Sequence, residues 1–114
     1  MMPLERDAAH LWDMLEAAEQ AVELSSDVDH DQLLNDVRTR YPGERALEIG
    51  GEAARRVSQG TKDAHPKIPW AGIVGLRNVL AHEHGEIDYR RLHTVLKDDV
   101  PDLVAELERL LDSI

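Results

Sequence analysis

The spacing of apolar residues constrains this chain more than any other feature. Leu4, Ala8, Leu11, Trp12, Leu15, Ala18 and Val22 recur at three-and-four intervals, with Glu5, Asp13, Glu16 and Glu23 between them. That period describes one face of an amphipathic helix running from about residue 4 to Leu24. No segment shows the strict two-residue alternation of a half-buried strand, so apolar faces can be buried only helix against helix. The expectation is an all-α fold, an antiparallel bundle of four to five helices with short connections, formed by residues 1–114 as one domain.

Punctuation residues divide the rest of the chain. Ser25-Ser26-Asp27 breaks the first helix, and Asp31 to Asn35 has room for only a short helical turn. Tyr41-Pro42-Gly43 reads as a further interruption, with Pro42 suited to a first helical position and the second long helix running from there to about Ser58. Its stripe of Ala46, Gly50, Ala53 and Ala54 invites close approach by another helix, since Gly50-Gly51 is otherwise costly in a helix interior. Residues 60–69 read as a loop. Pro69 then starts a third long helix, with Trp70, Ile73, Val74 and Leu80 on its apolar side, ending near His84-Gly85. Asp88 caps a fourth helix that turns Leu92, Val95 and Leu96 inward. Asp99-Val100-Pro101 bends or restarts the chain into a last helix carrying Leu103, Val104, Leu107, Leu110 and Leu111.

Composition excludes several functions. The chain has no Cys, which removes disulfides, thiolate metal sites and cysteine nucleophiles together. Its start becomes charged at once, unlike a signal peptide, and no apolar run approaches the roughly 18 residues that span a bilayer. A cytoplasmic protein with no membrane role is expected. The net charge of −10 opposes general nucleic-acid binding. The charge is unevenly spread, however: residues 38–77 hold eight bases and four acids, whereas both flanking thirds are acidic. A basic patch in that middle third is compatible with RNA beside a catalytic site.

Chemistry concentrates in Trp70-Ala-Gly-Ile-Val-Gly-Leu-Arg77-Asn78-Val-Leu-Ala-His82-Glu83-His84. Asn78 and His82 stack at i, i+4. Arg77 lies about 140° round from His82 and in line with His84. An imidazole can move the proton of a ribose 2′-hydroxyl or of a leaving 5′-oxygen. A guanidinium can hold a phosphate and stabilise charge developing on it. Such parts suffice for RNA cleavage without metal or cofactor, with Asn78 orienting His82 or the phosphate. On physics alone, the commoner use of Arg and His there is to satisfy the last carbonyls of the helix and complement its dipole. His82-x-His84 also suggests a metal, but residues two apart point to different sides of a helix, and no metal is expected. Lys62, Lys67, Arg90 and Arg91 are candidate RNA contacts, although each taken singly fits a solvated charged face. Trp70 fits a core or dimer anchor better than a stacking platform for bases.

Arg-Asn-Val-Leu-Ala-His resembles the Arg-x4-6-His motif of HEPN domains, in the Arg-Asn-x3-His form of HepT-like toxins. Asp36-Val-Arg-Thr-Arg40, Ala46 to Arg55, Ile68-Pro-Trp70 and Asp99-Val-Pro-Asp-Leu103 resemble that family's patterns in the same order, so the likeness covers essentially the whole chain. The resemblance implies a helical homodimer in which the Arg and His of both subunits face each other. It also implies an endoribonuclease toxin, restrained by a minimal nucleotidyltransferase antitoxin, with catalytic roles for Arg77 and His82 and an adjoining polar role for Asn78. Many members carry Arg-x4-His-x-Tyr, whose tyrosine receives AMP from the antitoxin. This chain has His84 there, a departure that leaves three routes of control: a nucleotide on His84, a nucleotide on the nearby Tyr89, or simple binding by the antitoxin. Tyr41-Pro42-Gly43 also falls where family members continue a helix. The alternative is a non-catalytic HEPN module that binds the nucleotidyltransferase or a nucleotide.

Overall fold

The computed structural model describes residues 3–82 and 87–113, and every regular element among them is helical. These are α1 (Pro3–Ser25), α2 (His30–Asn35), α3 (Val37–Arg56), α4 (Gln59–Ala64), α5 (Trp70–His82), α6 (Tyr89–Thr94) and α7 (Val100–Asp112). A π turn, Val95–Asp99, joins the last two. Long α1 lies between α3 and α7, and α5 packs on α3. Gly50 of α3 faces Ala17 of α1, and Ser58 meets Asp7, so α1 and α3 run antiparallel.

The core fills both halves of α1. Leu11, Met14 and Leu15 meet Ala54, Val57, Trp70 and Leu107 at one end. Ala18 and Ala21 meet Leu33, Ala46, Leu92 and Leu96 at the other. With no Phe in the chain, small residues on α3 let the helices approach closely enough for Leu and Met to fill the space. Trp12 departs from the expected buried face, for it is 58% exposed. It lies about 100° round from Leu11, on the flank that carries exposed Glu16 and Glu19.

Helix α3 begins at Val37, not at Pro42. Asp36 decides this by capping: its Oδ1 accepts from the Arg38 N–H at 3.0 Å and its carbonyl accepts from the Arg40 N–H at 2.9 Å. Pro42 therefore sits in the second turn and withholds one intrahelical bond. Arg40 reinforces this start, donating to the Leu34 carbonyl at 2.6 Å. Its guanidinium carbon lies 5.2 Å from the Tyr41 ring centre and 5.0 Å from that of Tyr89. The stretch expected as a 60–69 loop holds α4, started by the Ser58 cap.

As expected, a last helix starts at Asp99-Val100-Pro101, with Pro101 in the first turn of α7, but it follows the π turn directly, with no loop between Tyr89 and Asp112. Proline has no N–H and its ring crowds the carbonyl four residues back. The wide turn, in which the Val100 N–H reaches the Val95 carbonyl, relaxes the register just before Pro101. The same stretch clasps the α1–α2 corner. Lys97 Nζ donates to the Ser25 and Ser26 carbonyls, and His93 Nε2 lies 3.0 Å from the Val28 carbonyl that accepts from it.

Asp7 ties the start of α1 to the α3–α4 corner. It is 3% exposed, and its carboxylate accepts from Ser58 N–H at 3.0 Å, Ser58 Oγ at 2.6 Å and Thr61 Oγ1 at 2.6 Å. Burial pushes this carboxyl upward, but the Ser58 and Thr61 donors, helped by nearby His10, outweigh it and hold it below its ordinary value. Asp7→Ala should cost about 2 kcal/mol or more near neutral pH, because hydrogen bonds to a charged acceptor are lost. A carboxyl depressed in the native state stabilises fully above its unfolded value and loses this as pH falls through the native one. Urea titrations of both proteins should therefore give a constant difference near neutrality that shrinks below about pH 4. A difference that persists undiminished in acid would contradict this role.

Candidate active site

Helix α5 is anchored at its start and bears its polar groups at its end. Trp70 is buried and its Nε1 donates to the His65 carbonyl at 3.0 Å, as fits the expected core anchor. Two turns on, Arg77 is wedged against α3. A Cβ placed on Gly51 would stand 2.2 Å from the Arg77 Cβ and 3.1 Å from the Ile73 carbonyl oxygen, so only glycine allows the two helices this approach. The stripe in α3 is thus used within the chain, with Gly51 against α5 and Gly50 against α1, and does not itself require a second copy.

Close approach places the Arg77 side chain beside the residue after Gly51. Its Nη2 lies 3.2 Å from Glu52 Oε2, and the side chain is 26% exposed. Its Nη1 donates to Asn78 Oδ1 at 3.0 Å. Glu52 also binds Arg55 Nη2 at 2.6 Å and Arg56 Nε at 3.3 Å. The hydrogen bond from Arg55, aided by the charges of Arg55, Arg77 and Arg56, pulls the Glu52 carboxyl from 4.5 down to about 2. It is ionised throughout the range in which RNA is handled.

His82 is the last residue of α5 and is exposed, as is Asn78 one turn before it. The structure therefore brings Arg77 and Asn78 into contact; among the described residues, none is hydrogen-bonded to the His82 imidazole. His84 lies outside the described residues. Tyr89 is half-buried at the start of α6, its ring covered by the Arg40 guanidinium. Lys67 and Arg91 line a groove of about 880 Å³ between α5 and the α6–α7 helix, which Asp88, Asp99, Asp102 and Glu106 also line. Lys62 is half-buried on α4, and Arg90 is exposed on α6. Arg77 lines a different hollow, of about 250 Å³, together with His10, Asp13, Arg45, Glu48 and Arg56.

Sequence reading missed Glu52, Arg45 and Arg56. The signal was there: residues 45, 48, 52 and 56 share one helix face, but only the Gly51 contact shows that this face adjoins Arg77. Among the described residues no three His, Asp or Glu side chains gather as a metal site would require. None of the helices described is long and apolar enough to cross a membrane.

A family model described as "Ribonuclease HepT-like" matches residues 14–110, which include Gly51, Glu52, Arg77, Asn78 and His82. The chain belongs to the HepT-like ribonuclease family. This HepT-like chain is 41% identical over 100 residues to "Putative RNase MJ1380" of Methanocaldococcus jannaschii, a match covering 88% of this chain and 92% of that one. It is 35% identical over 101 residues to "Probable ribonuclease HepT" of Thermococcus cleftensis, with 89% and 92% covered. No solved structure matches. The enzyme class of the HepT-like chain is thus ribonuclease, and its membership of this family rests on residues 14–110, not on the six-residue motif alone.

Proposed function

We propose that this HepT-like protein is a metal-independent endoribonuclease that cuts RNA by attack of an internal 2′-hydroxyl. Arg77, Asn78 and His82 form its working face. The observation that carries this reading is the state of Arg77. Glu52 pairs with its guanidinium and Asn78 accepts one of its hydrogen bonds, so a partly exposed, positioned cation stands on the same helix end as an exposed imidazole. In the reaction, the 2′-oxygen forms a bond to phosphorus as its proton passes to a base. The bond from phosphorus to the 5′-oxygen breaks, and that oxygen takes a proton. His82 moves a proton, and Arg77 stabilises the extra charge on the phosphoryl oxygens. The products are a 2′,3′-cyclic phosphate and a 5′-hydroxyl.

Assembly as a two-fold homodimer belongs to the same proposal. Helix α5 packs on α3, while its other flank, with Gly72, Gly75, Leu76 and Val79, borders the large groove toward Leu92, Val95 and Leu103. A second copy seated there would bury this apolar strip and bring two α5 helices together, an isologous contact that needs a single self-complementary patch. The family resemblance supports such a pairing. It also supports the remaining part of the proposal, a toxin role under a nucleotidyltransferase antitoxin; His84 replaces the family's usual tyrosine, so control runs through His84, through Tyr89 or through simple binding.

Size-exclusion chromatography with light scattering, each fraction being assayed on RNA, tests function and assembly at once. RNA cleavage should coincide with a mass twice that of one chain at micromolar concentration. Full activity in a monomer peak would defeat the dimer. Absence of cleavage in every fraction would favour the non-catalytic module.

A further inference from the structure

We propose that Glu52 is a positioning residue of the cleavage reaction, its carboxylate fixing the direction in which the Arg77 guanidinium meets the phosphate. The proposal rests on the reading of Arg77 given above and adds a residue from a different helix.

Three features of the geometry point to it. Glu52 follows the one glycine that lets α5 close on α3, so the carboxylate arises where the Arg77 side chain must pass. The carboxylate is itself held by its own helix, from i+3 by Arg55 at 2.6 and 3.2 Å and from i+4 by Arg56 at 3.3 Å. It is a preset acceptor that need not reorganise when substrate arrives. Finally, Glu52 and the Asn78 amide touch different terminal nitrogens of Arg77. Two anchored terminal nitrogens, together with the covalent attachment at Nε, set the plane of a guanidinium, and that plane decides whether its remaining donors meet two phosphoryl oxygens or one.

Charge distinguishes positioning from masking. One carboxylate shared among three guanidinium groups leaves the cluster net positive, so Arg77 keeps its attraction for a phosphate while its direction is set. A masking carboxylate would slow the enzyme, and its removal would speed it.

The test is steady-state cleavage of a defined oligoribonucleotide by the purified homogeneous protein, with thermal melting followed in parallel. Glu52→Ala should lower kcat roughly 10–100-fold, the effect of misaligning a reacting group. KM should stay within about threefold, because Arg77 still supplies its charge to bound RNA. Glu52→Gln keeps an oxygen to receive Arg77 and should recover part of kcat, falling only about threefold to tenfold. A purely structural role would instead lower the melting temperature and leave kcat intact below it. If Glu52→Ala does not fold, Glu52→Gln decides alone. An unchanged or increased kcat in the folded variants, with Arg77→Ala inactive, overturns the positioning role and leaves Arg77 standing. Full activity in Arg77→Ala overturns the underlying reading, and this role with it.

Discussion

Replacing Arg77 or His82 singly by alanine should lower RNA cleavage by about 10²–10⁴-fold while leaving the protein folded. Removing Arg77 leaves the charge that accumulates on the phosphoryl oxygens with no guanidinium to meet it. Removing His82 leaves the 2′-hydroxyl proton to solvent. His82 is exposed and its imidazole is hydrogen-bonded to none of the described residues, so its truncation costs little stability. Arg77 is three-quarters covered and paired to Glu52 at 3.2 Å, so Arg77→Lys is the better companion variant. It keeps the charge but loses the planar fork, and should recover binding more than turnover. The double variant should be scarcely worse than either single one, because residues that act in one step are not additive. Variants that retain wild-type cleavage would return both residues to the ordinary task of finishing a helix.

Two adjacent glycines should respond in opposite directions to the same substitution. A methyl at residue 51 would stand 2.2 Å from the Arg77 Cβ, 2.9 Å from its Cγ and 3.1 Å from the Ile73 carbonyl oxygen. The nearest atom is a Cβ and the third belongs to the α5 backbone, so relief requires the helices to part. Gly51→Ala should cost about 1–3 kcal/mol, the range for overpacking. It should also lower kcat, because moving α5 carries Arg77 away from Glu52. A methyl at residue 50 would meet only the Ala17 Cβ, at 3.5 Å, an ordinary van der Waals distance. Gly50→Ala should therefore stabilise by about 0.5–1 kcal/mol, the gain from replacing glycine inside a helix. Chemical denaturation of the two variants measures both signs, and destabilisation by both would contradict this assignment of the two faces.

Helix periodicity made most of the fold legible from sequence, since the faces around Leu11, Leu92 and Leu107 point inward as their spacing requires. Failures came where one local signal outranked another. Pro42 suggested a helix start, but the Asp36 cap six residues upstream captured the first turns and left the proline inside. Pro101 marked the start of the last helix correctly, but nothing in the sequence announced the π turn that leads into it. Trp12 fell on the edge of its stripe, where a 3.6-residue period gives the least guidance. At the site, the motif singled out Arg77 and His82 because both lie on one helix. Glu52 and Arg56 could not be found this way: they belong to α3, and only the register set by Gly51 joins them to Arg77. Lys67 and Arg91, chosen by charge, line the other groove beside four carboxylates. One-dimensional charge balance does not report which bases share a face.

The central claim is that Arg77 and His82 cut RNA through its own 2′-hydroxyl, and the chemical end left on the product tests it most directly. An end-labelled oligoribonucleotide, incubated in excess chelator with the purified protein, should yield a fragment ending in a 2′,3′-cyclic phosphate. The same strand carrying 2′-deoxyribose at the cut position should remain intact, and Arg77→Ala and His82→Ala should give almost none of the cyclic product. Fragments ending in a 3′-hydroxyl, cleavage of the deoxy-substituted strand, or undiminished cyclic product from both variants would contradict the account.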